Sequence, residues 1–141
     1  MTDDRTMPVE GGMTYGQMRA ACYGVKGLTV ASALLPDDLM GCYDEGRGLI
    51  LVDRRLTYTQ KRCTLVHELF HWRYGDVGCP GVAGGVGESR ARRGTARLLV
   101  DPVGLMEAEA MYGGNLWMIA GELDVTLQVL DDFRASLPVC A

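Results

Sequence analysis

The chain is poor in histidine, in aromatic residues and in net positive charge, and each shortage narrows what it can be. Its net charge of −4 excludes a protein built to coat nucleic acid. Its five cysteines (Cys22, Cys42, Cys63, Cys79 and Cys140) form no C-x-x-C pair. That argues against a disulfide framework and against a cysteine-rich zinc knuckle. Reduced thiols, and with them a cytoplasmic location, are the expectation. The longest apolar-leaning run, Leu28 to Leu35, is too short to span a membrane, so no membrane role is expected. The polar opening Met1-Thr2-Asp3-Asp4-Arg5 lacks the apolar core of a signal peptide. At 141 residues and 48% apolar content, one globular domain is expected, residues 14–141, preceded by a flexible arm, 1–13, that carries Pro8 and Gly11-Gly12.

Only two histidines occur, and both fall in His67-Glu68-Leu69-Phe70-His71, the pattern H-E-x-x-H. On a helix, residues four apart stack on one face, so both imidazoles can grip one metal ion. Glu68, between them in sequence, can reach a water held in an open coordination position. The pattern therefore predicts a zinc site with Glu68 as general base. The bland alternative is a helix whose two histidines share this spacing without binding anything.

The flanking sequence predicts the frame. Thr14 precedes a packing helix over Tyr15–Tyr23. Leu28 to Ala33 reads as a strand. Met40 to Tyr43 and Leu49 to Val52 surround a glycine-containing turn and read as a hairpin. The uninterrupted apolar run Leu49–Val52 predicts a strand covered on both faces. Thr57 and Gln60 make a capping box for a helix over Tyr58–Tyr74. Gly75 to Gly87 is a glycine-rich loop, read equally well as a rim of the site or as a plain connection. Glu88 to Val100 is helical, weakened at Gly94, with Arg90, Arg93 and Arg97 on a basic face. Asp101-Pro102 starts a short helix to Tyr112. Asn115 caps Leu116–Leu123, and Asp124 or Thr126 caps a last helix to about Leu137.

A catalytic zinc site needs a third protein ligand, and no histidine remains to supply it. That rules out the extended three-histidine form of the motif. Glu88, at the head of the next long helix, is the leading choice, with Cys79, Glu107 and Glu109 still open. Asp76 is too close to His71 in sequence to reach around the ion. A carboxylate at Glu88 is also what a helix N-terminus favours without any metal.

The run Thr64-Leu65-Val66-His67-Glu68-Leu69-Phe70-His71, then Glu88-Ser89-Arg90-Ala91, then Ala96-Arg97-Leu98-Leu99-Val100-Asp101-Pro102, resembles the ImmA/IrrE family of metallopeptidases. Members pair a T-L-A-H-E-x-x-H helix with a later E-x-x-A…F-A-x-x-L-L-x-P helix. The resemblance spans roughly Leu28 to Leu137. It departs from the pattern at Gly94-Thr95, where Phe-Ala is common, and at Arg92, where Asn or Asp is. It implies an α+β fold: a small antiparallel sheet packed against a zincin-like active-site helix, with a helical C-terminal half. It also implies a gluzincin-like site, with zinc held by His67, His71 and Glu88 and with Glu68 as the base. Such proteins occur in phages, mobile elements and bacteria, and some inactivate helix-turn-helix repressors by cleavage. A repressor-type regulator is thus the expected protein partner.

Peptide hydrolysis also needs an oxyanion stabiliser, for which Tyr74, Tyr112, Arg90 and Arg93 are candidates. An extended substrate could add to a free edge of the sheet near the Leu49–Val52 hairpin. Two other readings compete. One is a metallopeptidase-like module that sequesters a regulator without cutting it. The other is DNA binding through Ile119–Leu137 and the cluster Arg90, Arg92, Arg93 and Arg97. Direct contact with nucleic acid is not expected, because Glu122, Asp124, Asp131 and Asp132 would meet phosphates against a lone Arg134.

Overall fold

The computed structural model describes residues 5–77 and 86–138. Cys79 and Cys140, and most of the Gly75–Gly87 loop, lie outside them. Six helices and three strands are described: α1 (Tyr15–Tyr23), β1 (Thr29–Ala33), β2 (Gly41–Asp44), β3 (Leu49–Asp53), α2 (Tyr58–Tyr74), α3 (Val86–Leu99), α4 (Pro102–Tyr112), α5 (Leu116–Leu123) and α6 (Leu127–Ser136). Among the described residues no helix is long and apolar enough to cross a membrane.

The helix starts follow from side chains that meet otherwise unpaired backbone N–H groups. Thr14 with Gln17 and Thr57 with Gln60 form reciprocal capping boxes at α1 and α2. Asp101, Asn115 and Thr126 cap α4, α5 and α6. Asp124, the other candidate for α6, instead closes α5 in the left-handed conformation.

The fold is α+β, but its sheet is mixed, not antiparallel as the sequence implied. Strand order is β1-β3-β2, with β2 antiparallel and β1 parallel to β3. The reason lies in the link between β1 and β2, which Asp53 at the end of β3 holds in place. Its carboxylate accepts from the Leu35 N–H at 3.0 Å, and Arg55 donates to the Leu35 carbonyl at 2.9 Å. The link then turns through Asp37 and Asp38, both left-handed at φ 56° and 57°, a conformation aspartate tolerates better than most residues. The chain thus passes the end of β3, leaving β1 on one edge while the hairpin takes the other.

The central strand β3 is buried on one face. Ile50 and Val52 are fully buried, while Leu49 and Leu51 keep partial exposure. The sheet packs against α2, whose Leu65, Val66 and Leu69 are inaccessible to solvent. Helix α2 also meets α3, whose Ala91, Thr95 and Ala96 are buried. Gly94 belongs to this contact: a Cβ there would fall 2.6–2.8 Å from the ring of Phe70 on α2. The residue that weakens α3 in isolation therefore lets the two helices close. Helix α6 packs on α3, and α4 and α5 pack together.

Residues 5–13 form no helix or strand, yet they are pinned. Val9 is buried, and Arg5 pairs with Glu45 at 3.0 Å while also donating to the Trp72 carbonyl. Buried Arg62 of α2 donates to the carbonyls of Gly11, of Met13 at 2.9 Å and of Asp124 at 2.6 Å. A single guanidinium so ties the N-terminal segment, the motif helix and the turn between α5 and α6. Cys22 and Cys63 are buried thiols, and burial pushes that of Cys22 up to about 11.

Candidate metal centre

His67 and His71 lie one turn apart on α2 and turn their rings toward each other, Nε2 to Nε2 at 3.2 Å. Glu88, in the first turn of α3, reaches both. Its Oε1 lies 3.0 Å from His67 Nε2 and its Oε2 lies 3.1 Å from His71 Nε2. These three residues form a group whose ligand atoms converge, as required to hold one ion. Zinc–ligand bonds of about 2.0–2.1 Å in a tetrahedron place neighbouring donors about 3.3 Å apart. The observed separations are only a few tenths shorter, so the donor set fits zinc in both chemistry and spacing. Two imidazoles and a carboxylate would leave a fourth position open on a tetrahedral ion.

Asp76 completes the support of His71. Helix α2 closes at Gly75 in the left-handed conformation, and the Asp76 N–H then returns to the His71 carbonyl at 2.9 Å. This folds the Asp76 carboxylate back beside its own helix, with Oδ2 at 2.9 Å from His71 Nδ1. A proton on Nδ1 donated to Asp76 leaves the Nε2 lone pair facing Glu88 and His67, the tautomer a metal ligand needs. Arg90 of α3 donates to the other Asp76 oxygen at 2.6 Å and lies over the Tyr74 ring, 3.9 Å from its centre. The clamp joins the end of α2 to the start of α3, the two segments that carry the candidate ligands. Sequence reasoning set Asp76 aside as a ligand and missed this role. The available signal was a carboxylate directly after the helix-closing glycine.

The electrostatics match the geometry. The hydrogen bond to His67 leads in holding the Glu88 carboxyl down at about 2, against some burial. Burial works against protonating His67, but the Glu88 hydrogen bond and the charges of Glu68 and Glu88 outweigh it and raise its proton affinity. Such a cluster attracts a cation. Glu68 is buried, and burial raises its carboxyl, offset in part by both histidines. Across from it stands Gly41 on β2. A Cβ at that position would meet Thr64 Cγ2 at 2.5 Å and Glu68 Cγ at 3.2 Å. Glycine here lets an edge strand run against the motif helix beside Glu68, a second residue that the sequence pattern did not reveal.

The other candidates are placed elsewhere. Glu107 and Glu109 are on α4 and do not join the cluster; Glu109 faces Arg134 at 4.0 Å. Cys79 is outside the described residues. The Tyr112 hydroxyl donates to Glu122 at 3.3 Å. Tyr74 stacks with Phe70 and is covered by the Arg90 guanidinium, which itself is engaged with Asp76. No protein-family model, curated protein or solved structure matches the chain.

Proposed function

We propose that the protein is a zinc-dependent metalloendopeptidase of the ImmA/IrrE kind, acting in the cytoplasm on a helix-turn-helix repressor-type regulator. The observation that carries the reading is the convergence of His67 and His71 with Glu88 from a second helix, beside the buried carboxylate of Glu68. His67, His71 and Glu88 would hold the zinc, which when bound would supply Lewis-acid polarisation of a water and of the substrate carbonyl. Glu68 takes the proton of the attacking water and passes it to the leaving amine. A carboxyl raised by burial is suited to both halves of that transfer. Strand β3 has both edges occupied, so an extended substrate adds to β2, the edge strand that packs against α2 and meets Glu68 at Gly41.

The test has two parts. Elemental analysis of purified protein is expected to find about one zinc per chain. Glu68→Gln is expected to retain that zinc and to lose cleavage of a co-incubated repressor. A folded protein that takes up no zinc removes the metal assignment. Full cleavage by the Glu68→Gln variant removes the role of the base, and a stable uncut complex with the wild-type protein identifies a sequestering module instead.

A further inference from the structure

The arginines that look like one basic cluster in the sequence have different fates in the fold. Arg90 is committed to Asp76. Arg92 pairs with Asp132 of α6 through two hydrogen bonds, at 3.1 and 2.7 Å. Arg93 has no ionic or hydrogen-bonding partner among the described residues. Between α3 and α6 an open cleft of about 340 Å³ is lined by Glu88, Ser89, Arg92 and Arg93 on one side and by Asp132 and Ser136 on the other.

Glu88 is at once a wall of this cleft and a member of the candidate metal centre, so the two lie side by side. Arg92 lies close enough for its charge to oppose protonation of His67. The cleft holds two carboxylates and two guanidiniums, but only one of these charges is left without a neighbour to answer it among the described residues. Asp132 neutralises Arg92, and Glu88 is turned to the two histidines. What remains is the Arg93 guanidinium, beside the Ser89 hydroxyl. A basic substrate group would be repelled, and an apolar one would leave the cation without a partner. A carboxylate answers it with charge-assisted hydrogen bonds, in the geometry a guanidinium fork favours.

We propose that this cleft is a substrate subsite for a carboxylate, bound by Arg93 with Arg92 beside it, next to the bond to be cut. The inference rests on the metallopeptidase reading and deepens it. The carboxylate comes from an Asp or Glu side chain flanking the scissile bond, or from the C-terminus of a peptide.

The experiment uses the zinc-loaded full chain and internally quenched peptides with Glu, Gln or Lys on either side of the scissile bond. Each peptide is prepared with a free and with an amidated C-terminus. A roughly fivefold higher kcat/KM for Glu over Gln is expected, the size of a partly exposed ion pair. Arg93→Gln is expected to bring that ratio to about one, and Arg93→Glu to turn it toward Lys. Arg97→Gln, on the same helix but outside the cleft, leaves it unchanged. A preference that follows the free C-terminus assigns the subsite to the chain end. A kcat loss common to all peptides in Arg93→Gln, with the ratio unchanged, makes Arg93 an oxyanion stabiliser and overturns the proposal.

Binding of the same peptides to the Glu68→Gln variant, read by fluorescence anisotropy, separates the two levels of the argument. Absence of any cleavage by wild type counts against the peptidase reading. Absence in binding of both a Glu-over-Gln and a free-over-amidated C-terminus preference overturns the subsite.

Discussion

Replacing Gly94 with alanine probes the packing that sets Glu88 beside the histidines. On an isolated helix the change would stabilise by about 1 kcal/mol, because glycine is the poorer helix former. In this fold the new methyl would lie 2.6–2.8 Å from three atoms of the Phe70 ring. The ring is partly buried and stacked on Tyr74, so it must shift or α3 must move away. Overpacking of this kind costs about 1–3 kcal/mol. The net expectation is a loss of about 1 kcal/mol, or roughly 3–5 °C in the melting temperature of a chain this size. Phe70→Leu removes the clash, so in that background Gly94→Ala should recover its helix-forming gain. The sign of its effect then reverses, with a coupling of about 2 kcal/mol between the two sites. Urea titration of the four proteins measures the cycle. A parallel zinc titration should show weaker binding only in the clashing single variant, whose α3 is displaced. Stabilisation by Gly94→Ala with Phe70 in place, or additivity across the cycle, would refute the close-approach argument.

Three further expectations follow from the same contacts. Asp76→Asn removes the carboxylate that fixes the His71 tautomer and should weaken zinc binding about 10–100-fold with the secondary structure retained; an unchanged zinc Kd would show that Asp76 does not orient the ring. Asp53 is held below the usual carboxylate range first by its hydrogen bonds from Arg55, then by the Leu35 N–H, so its stabilising effect is complete above about pH 4 and is lost as pH falls through its own lower value. Acid unfolding followed by circular dichroism should accordingly be shallower in Asp53→Asn, and an identical acid limb would contradict that pairing. Gly41→Ala pushes β2 away from Thr64 and Glu68 and should lower the kcat/KM of extended peptides at least tenfold while zinc content stays at about one per chain; unchanged turnover would remove β2 from the substrate path.

What could be read from the sequence follows the range of the interactions. Capping boxes and helix periodicity act within a turn or two, so Thr57 with Gln60 fixed the start of α2, and the histidine spacing set one face of it. The third donor depends on how two helices pack, but the run Glu88 to Leu99 carries enough helical pattern to place Glu88 at the head of α3. The parallel pairing of β1 had no local signal. It depends on Asp53 holding a link that lies eighteen residues earlier in the chain, a tertiary contact with no periodic trace. Gly94 misled for the same reason. Read along its own helix it is a defect, and only the Phe70 ring on the neighbouring helix accounts for it.

Charge patterning shows the limit most clearly. Arg90, Arg92, Arg93 and Arg97 read as a solvated basic face or as a surface for an acidic partner, and neither reading separates them. The fold does so through residues far away in sequence. Asp76, across the loop, takes Arg90 and makes it part of the His71 support. Asp132, forty residues on, takes Arg92 and ties α3 to α6. Each of these carboxylates can neutralise one guanidinium, which leaves Arg93 as the cation in the cleft that Glu88 borders. The basic run so becomes one support for His71, one packing contact and two guanidiniums, Arg93 and Arg97, without an ion-pair or hydrogen-bond partner among the described residues, of which Arg93 alone lines the cleft. Under the proposed reading it is therefore Arg93, and not Arg97, whose charge a substrate group in the cleft can meet.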